Sequence, residues 1–543
     1  MHIPKLTTIF PSEYSPTKKQ ITLLDKIENG LNKSKFVICS APTGSGKSLI
    51  ARTLANISLE PSSEKRRLIT SYEAFKQDFT GNYTNSEECK DEPPSGAFAL
   101  TITKTLQDQY SSLFKNTDIL KGKINYTCNL DDNYNVNFAP CTFVSKLKET
   151  CWENGTCSYY NARNEALLSK FAVLNYKMFL ALPEHVKRKN IIICDEASEL
   201  EEELVRQFSA EIDYEQLKQC GINIKMLVSD NHTRARAWLY ELIEKVTLVI
   251  EDITQIGAKK LEMLSKGDIV RFQYLKNLHG SLTTIDSMWT ECEYIIDVSA
   301  TRVTFTPLHA HSLAKYIFDY ADKIILMSAT IIDHEHFAKS LGITDYSYVE
   351  CESDFEPSKS PIYISSTNKI NYKTLKIVLP KICTQIEQIV NHHKGDKGVI
   401  HTHTQEIANI IQEKIGKNKR FLFRDTTATN ENILKEHCET NEPTVLVSPS
   451  LVYGVDLKDD LARFQIIVKL PFLPLSSKRI KRLFDTNKEW YENKMLSATV
   501  QAAGRATRNK DDYSVTYILD SNFINVVKRA KGKLPKHFID RIQ

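Results

Sequence analysis

The segment VICSAPTGSGKSLIA (37–51) sets a glycine-rich turn between an apolar run and a helical pattern. Such a turn lets backbone N–H groups close around phosphate oxygens, and the following helix adds the positive end of its dipole. Thr43, Gly44, Ser45, Gly46, Lys47 and Ser48 are the nucleotide-binding candidates. Lys47 would neutralise charge on the β- and γ-phosphates, and Ser48 would ligate Mg²⁺. The pattern is that of a P-loop with Ala41 standing where the first glycine is usual. Further on, NIIICDEASEL (190–200) ends an apolar run on Asp195 and Glu196. The C-terminal end of a strand in an open α/β sheet is where ligand-binding residues sit. Asp195 would hold Mg²⁺, and Glu196 would polarise the attacking water as general base. The bland alternatives are a loop that merely turns the chain and an acidic pair that only starts a helix. Metal-assisted phosphoryl transfer needs both pieces, and both are present, so hydrolysis of a nucleoside triphosphate is the expected chemistry.

Three later segments narrow the class. LMSAT (326–330) ends an apolar run with the hydroxyls of Ser328 and Thr330, suited to linking a γ-phosphate sensor to a moving interface. SPSLVYGVDLKDD (448–460) places Gly454 and Asp456 after another such run. QAAGRATR (501–508) supplies Gln501, Gly504, Arg505 and Arg508. On a helix, Arg505 and Arg508 face one side, because residues three apart are neighbours there. Two guanidiniums so placed can reach a triphosphate across a cleft and act as arginine fingers, an effect of about 10³–10⁵ in rate, with a solvated basic turn as the bland alternative.

Four of the cysteines fall together: Cys128, Cys141, Cys151 and Cys157, separated by 12, 9 and 5 residues. Structural zinc sites generally use knuckles of two to four residues, and this spacing has none. Four thiolates from an irregular loop instead suit a [4Fe–4S] cluster, with zinc or four unligated thiols as the alternatives. Tyr126, Phe138, Phe143, Trp152, Tyr159 and Tyr160 lie nearby to shield a cluster or stack on bases. Lys104, Lys121, Lys123, Lys146 and Lys148 surround it and can neutralise phosphates, although surface lysines are usually just solvated.

The elements that must position these residues are short β-branched runs: FVIC (36–39), FALTIT (98–103), IIIC (191–194), IILM (324–327), VIHT (399–402), TVLV (444–447), QIIVKL (465–470) and VTYIL (515–519). Helical patterns separate them, which predicts an α/β fold with buried parallel sheets. Residues 61–95 read as a polar insertion, and 206–300 carry charged helical periodicity without strong strand runs. A chain of 543 residues exceeds one core, so several domains are expected. The net charge of +4 is too mild for wholesale coating of nucleic acid but leaves room for a local basic groove. Apolar runs such as IIVKLPFLPL stop short of a membrane span, and MHIPKLTTIFPSEYSP lacks the pattern of a secretory signal. The expected setting is cytoplasmic, in a prokaryotic or phage-infected cell, with no membrane partner.

The ordered set of P-loop, TITKTLQDQY, LKGKINYTC, three further cysteines, VLNYKMFL, DEAS, SAT, GVD and QxxGRxxR resembles the XPD/DinG family of superfamily 2 iron–sulfur DNA helicases. The resemblance runs from YSPTKKQ (14–20) to LDSNF (519–523). It implies two RecA-like parallel-sheet motor domains, the first interrupted by an iron–sulfur domain and a helical arch. Along this chain that places motor domain 1 at 1–110, 166–205 and 301–335, the iron–sulfur domain at 111–165, the arch at 206–300 and motor domain 2 at 336–543. It implies ATP, Mg²⁺ and a [4Fe–4S] cluster as cofactors and a monomer acting on single-stranded and forked DNA with 5′-to-3′ polarity. By resemblance Gln20 recognises adenine, Thr101, Thr103 and Lys104 lie near the DNA backbone, and Gly454 and Asp456 couple motor domain 2 to nucleotide and DNA. Two departures stand out: Ser198 follows DEA where the family usually has His, and Tyr453 precedes GVD at a usually acidic position. The competing readings are an ATP-switched nucleic-acid binder that separates no strands and a DNA-independent P-loop phosphotransferase.

Overall fold

The computed structural model describes residues 3–543 apart from 43, 58–65, 69–89, 93–95, 116, 144, 260–264, 353–355, 372, 424–429, 450–456, 458, 505–511 and 531. The chain divides into two compact units: residues 1–38, 48–327 and 338–349, and residues 39–47, 328–337 and 350–543. Among the described residues no helix is long and apolar enough to cross a membrane.

The strands up to residue 350 are β1 (Phe36–Ser40), β2 (Arg66–Leu68), β3 (Lys90–Glu92), β4 (Ala97–Thr101), β5 (Asp118–Leu120), β6 (Phe171–Asn175), β7 (Lys189–Asp195), β8 (Ala210–Asp213), β9 (Tyr294–Val298), β10 (Arg302–Pro307), β11 (Ala321–Ser328) and β12 (Tyr346–Glu350). Seven of them form one sheet in the order β12-β1-β11-β7-β4-β6-β5. The pairs β11–β7, β7–β4, β4–β6 and β6–β5 are parallel. β4 and β7 are buried at every position. Strands covered on both faces need apolar residues continuously rather than alternately, which is why FALT and IIIC read as unbroken runs. The run FALTIT ends as a strand at Thr101 because Thr103 caps the helix Lys104–Leu113, accepting the N–H of Leu106 at 3.3 Å.

Residues 206–300 are not purely helical. The helices His232–Lys259 and Lys266–Ser287 dominate, but β8 and β9 also lie here and flank β10, just beyond residue 300, in an antiparallel sheet of order β8-β10-β9. Val303 of β10 sits opposite Ile212 of β8 and Val298 of β9. These strands are short and half-solvated; β10 buries only Val303, Phe305 and Pro307. That alternation in RVTFTP is a period-2 signal that the charged helical periodicity around it outweighs.

The second unit is built on β13 (Ile362–Ile364), β14 (Gly398–His401), β15 (Phe421–Phe423), β16 (Val445–Ser448), β17 (Phe464–Ile467) and β18 (Val515–Ile518). All neighbours in the order β13-β18-β17-β14-β16-β15 are parallel. The helix Leu375–His392 packs Leu379, Ile382, Ile386 and Val390 onto one core with Ile400, Val447 and Ile466 of the sheet. Gly398 has no alternative in this packing, since a Cβ there would collide with the ring of Phe464. Each of the eight apolar runs expected to be strands supplies a strand, and both main sheets have the α/β form.

Candidate nucleotide-hydrolysis site and cysteine cluster

β1 feeds the glycine-rich turn directly. Ala41 donates its N–H to the Ser328 carbonyl at 3.0 Å, which fixes where the turn begins. Gly44 and Gly46 both adopt left-handed backbone, with φ of 83° and 81°. Side chains resist that conformation, so glycine is needed at both places for successive N–H groups to turn inward. The helix Lys47–Leu54 starts at once, and Lys47 Nζ lies 3.4 Å from the Ala41 carbonyl, folded back over the loop. Ser45 is buried and Gly44 exposed. Thr43 lies outside the described residues.

β7 ends at Asp195, which is 5% exposed. Both of its carboxylate oxygens are oriented: Oδ1 accepts the N–H of Glu196 at 3.0 Å, and Oδ2 accepts the hydroxyl of Tyr110 at 3.1 Å. Tyr110 projects from the helix Lys104–Leu113 and is itself buried. The hydroxyl of Ser48 hydrogen-bonds the same phenol. A second phenol, Tyr176, donates to the Asp195 carbonyl at 3.1 Å. Burial first, then the charge of Asp195, drives the Tyr110 phenol well above the usual tyrosine range, so it remains a donor. Ser48 and Asp195 therefore bring two hard oxygen ligands to one buried phenol, a donor set that suits Mg²⁺. Glu196 follows with φ of 50°, left-handed backbone outside glycine. Strain of that kind collects at functional sites. Neither Tyr110 nor the backbone of Glu196 was a sequence-level candidate; Tyr110 stands in TITKTLQDQY, and only the sheet order brings its helix beside β7.

The other candidates are placed as follows. Ser328 ends β11, its hydroxyl 3.3 Å from that of Thr330, and both residues are buried. The Thr330 carbonyl accepts the hydroxyl of Ser497 at 3.0 Å. Gln501 lies on the helix Lys488–Ala503, with its Oε1 buried and lacking a hydrogen-bond partner among the described residues; Gly504 is the C-cap. Gln20 closes a capping box at the start of the helix Lys18–Lys33, its Oε1 accepting the N–H of Thr17 at 2.9 Å. Thr101 donates to the Thr103 carbonyl at 3.2 Å, and Lys104 to the Asn125 side chain at 2.8 Å. Ser198 sits in the 3₁₀ turn Ala197–Glu199. Tyr453, Gly454, Asp456, Arg505 and Arg508 lie outside the described residues. The helix Lys488–Ala503 also buries Trp490 and Tyr491, the latter donating to the Leu473 carbonyl at 2.8 Å.

The four cysteines come from four different local elements. Cys128 adjoins the Thr127–Asn135 bridge, Cys141 lies in the 3₁₀ turn Pro140–Thr142, Cys151 in the helix Ser145–Glu153, and Cys157 caps the helix Ser158–Leu168. Ser158 donates to the Thr127 carbonyl at 2.8 Å, tying the first loop to the last. The thiol of Cys141 is pushed up to about 11 by burial and then by the nearby Cys128, Cys151 and Cys157. Among the described residues no three His, Cys, Asp or Glu side chains are close enough to grip a single metal ion. Tyr126, Tyr159 and Tyr160 pack edge to face beside the cysteines, with Lys123 Nζ 5.4 Å and 5.9 Å from the Tyr159 and Tyr160 ring centres. Phe143 packs on Phe272, and Phe138 lies in the turn Val136–Phe138. Lys121 pairs with Asp108 at 2.6 Å. Lys148 lies on the helix Ser145–Glu153, while the side chains of Lys146 and Trp152 are outside the described set.

A glycine-rich loop after a buried strand, and a serine and an aspartate on a common phenol, are the parts a P-loop nucleoside triphosphatase requires. Its comparisons with known proteins are specific. The family model described as DEAD_2 matches residues 104–217, and the Helicase C-terminal domain model matches 391–540. The ATP-dependent DNA helicase XPD of Sulfolobus acidocaldarius is 22% identical, over 93% of this chain and 95% of its own. The ATP-dependent DNA helicase CHL1 of Vanderwaltozyma polyspora is 20% identical, over 86% of this chain and 69% of its own. Among solved structures, an XPD helicase superposes with a TM-score of 0.62 at 18% identity, covering 95% of this chain and 98% of that one. Xpd4 of S. tokodaii gives 0.54 at 13% identity, covering 97% and 99%. The shared fold is that of RecA-like domains with parallel sheets. These matches support an XPD/DinG-like superfamily 2 helicase and an ATP-dependent helicase activity.

Proposed function

We propose that this helicase couples ATP hydrolysis to 5′-to-3′ movement along single-stranded DNA and opens the duplex at forked junctions, as a cytoplasmic monomer. The observation that carries the reading is the hydrogen-bonded run from Ser48 through Tyr110 to Asp195, which readies a metal-nucleotide site at the sheet's strand ends. DNA as the track is supported by the XPD and CHL1 relatives, which are both ATP-dependent DNA helicases. Lys47 draws the triphosphate into the P-loop, and Glu196 takes the proton of the attacking water. Mg²⁺ held by Ser48 and Asp195 would neutralise charge on the β- and γ-phosphate oxygens. Arg505 and Arg508 stabilise the charge of the transition state, and Gln20 reads adenine. Gly454, Asp456 and Gln501 couple motor domain 2 (336–543) to motor domain 1 (1–110, 166–205 and 301–335). Cys128, Cys141, Cys151 and Cys157 hold a [4Fe–4S] cluster in the 111–165 insertion, beside the arch at 206–300. Ser198 in place of the usual His is the one feature that favours a second reading, an ATP-driven switch that binds DNA without separating strands.

Single-stranded DNA is expected to raise the steady-state rate of ATP hydrolysis at least several-fold, and a rate indifferent to DNA contradicts the proposal. The two centres are also expected to separate by mutation. An anaerobically purified Lys47→Ala protein keeps the brown colour and iron–sulfide content of the wild type while losing hydrolysis. A Cys128→Ser protein loses the colour yet still binds ATP. Full colour in Cys128→Ser, or normal turnover in Lys47→Ala, overturns the corresponding assignment.

A further inference from the structure

Tyr110 occupies a position that metal-site chemistry gives a definite meaning. Ligating carboxylates and hydroxyls are themselves held by hydrogen bonds from a surrounding layer, and that layer sets how well they grip the ion. Here one phenol meets both candidate ligands: its hydroxyl donates to Asp195 Oδ2 at 3.1 Å and shares a hydrogen bond with the Ser48 hydroxyl. A phenol that donates to Asp195 leaves that carboxylate its negative charge. With Oδ1 taking the N–H of Glu196 at 3.0 Å, the carboxylate is fixed in plane from both sides. The phenol cannot drift. Tyr110 is 2% exposed, and its ring meets Phe171 edge to face at 6.0 Å and Phe114 at 6.4 Å. Phe114 in turn packs edge to face on Tyr14 at 6.1 Å.

We propose that Tyr110 is the positioning residue of the Mg²⁺ site, linking Ser48 to Asp195 so that both ligands are set before nucleotide arrives. The inference rests on the reading of Ser48 and Asp195 as metal ligands and deepens it. Tyr176 provides an internal control. Its hydroxyl donates at 3.1 Å to the same residue, but to the backbone carbonyl rather than to a ligating atom.

The test is binding of a fluorescent, non-hydrolysable ATP analogue by the full chain, measured in EDTA and across a Mg²⁺ titration. The readout is the ratio of the two affinities, which reports the metal alone and needs no turnover. Tyr110→Phe keeps the ring contacts and removes only the hydroxyl. It is expected to lower that ratio about tenfold, the lower end of what loss of a ligand's supporting hydrogen bond costs. Its affinity in EDTA stays at the wild-type value. Tyr176→Phe is expected to keep the wild-type ratio even if it melts earlier. A wild-type ratio in Tyr110→Phe, or an equal loss of affinity in EDTA, overturns the proposal. Absence of any Mg²⁺ effect in the wild type instead overturns the assignment of Ser48 and Asp195, so the two failures are told apart.

Discussion

Arg505→Ala is expected to lower DNA-stimulated ATP turnover by about 10³-fold or more, the range over which an arginine finger acts. The argument starts from spacing. Arg505 and Arg508 stand three apart directly after the helix Lys488–Ala503, whose C-cap is Gly504. Both lie outside the described residues, but the end of the helix that delivers them is well fastened. The Ala503 carbonyl accepts Gln465 Nε2 and Arg541 Nη2, each at 3.0 Å. A guanidinium used on the transition state leaves ground-state binding nearly untouched, so the expected signature is a collapse of kcat with the KM for ATP within a few-fold. Arg505→Lys restores charge without the planar fork and is expected to recover only a small part of the rate. If both arginines serve one charge, as proposed, the double variant is expected to lose far less than the product of the single losses. Steady-state kinetics with saturating single-stranded DNA check all three. Wild-type kcat in Arg505→Ala removes that residue from the active centre.

The second large effect belongs to Glu196. Glu196→Gln keeps shape and hydrogen bonding but cannot accept the water proton, and general bases contribute about 10²–10⁴ in rate. ATP binding is expected to survive, so the variant should trap nucleotide. Its backbone adds an independent check. With φ at 50°, a residue bearing a Cβ costs of order 1 kcal/mol relative to glycine. Glu196→Gly is therefore expected to raise the unfolding free energy of its unit by roughly that amount while losing hydrolysis as fully as Glu196→Gln. Stability gained together with activity lost would mark the left-handed backbone as strain kept for function. Glu196→Gly melting below the wild type would contradict that.

How much of this was readable from the chain depends on which physics carried each part. Runs buried on both faces are self-evident, and IIIC and TVLV appear as β7 and β16. β6 was missed because its apolar residues, Phe171 to Leu174, merge with the helical pattern of YKMFL that follows. β12, β13 and β15 are sheet-end or half-buried strands of three to five residues, too short for a periodic signal. The β8–β10–β9 sheet hid inside charged helical sequence. At the site, the glycines and the acidic pair were legible because phosphate chemistry restricts the residue types that can serve. Tyr110 was not, since a tyrosine is most often core, and its role arises only where the helix Lys104–Leu113 meets the end of β7. Gln20 shows the converse: the structure gives its carbonyl oxygen to a capping box, a use the adenine expectation did not anticipate.

The most direct measurement of the central claim is ATP-dependent strand separation on two duplexes that differ only in which strand carries the single-stranded tail. The wild type is expected to unwind the 5′-tailed substrate and leave the 3′-tailed one intact, with Glu196→Gln inactive on both. Tight DNA binding and brisk ATP hydrolysis with neither duplex opened would contradict a helicase motor and leave the ATP-driven switch in its place.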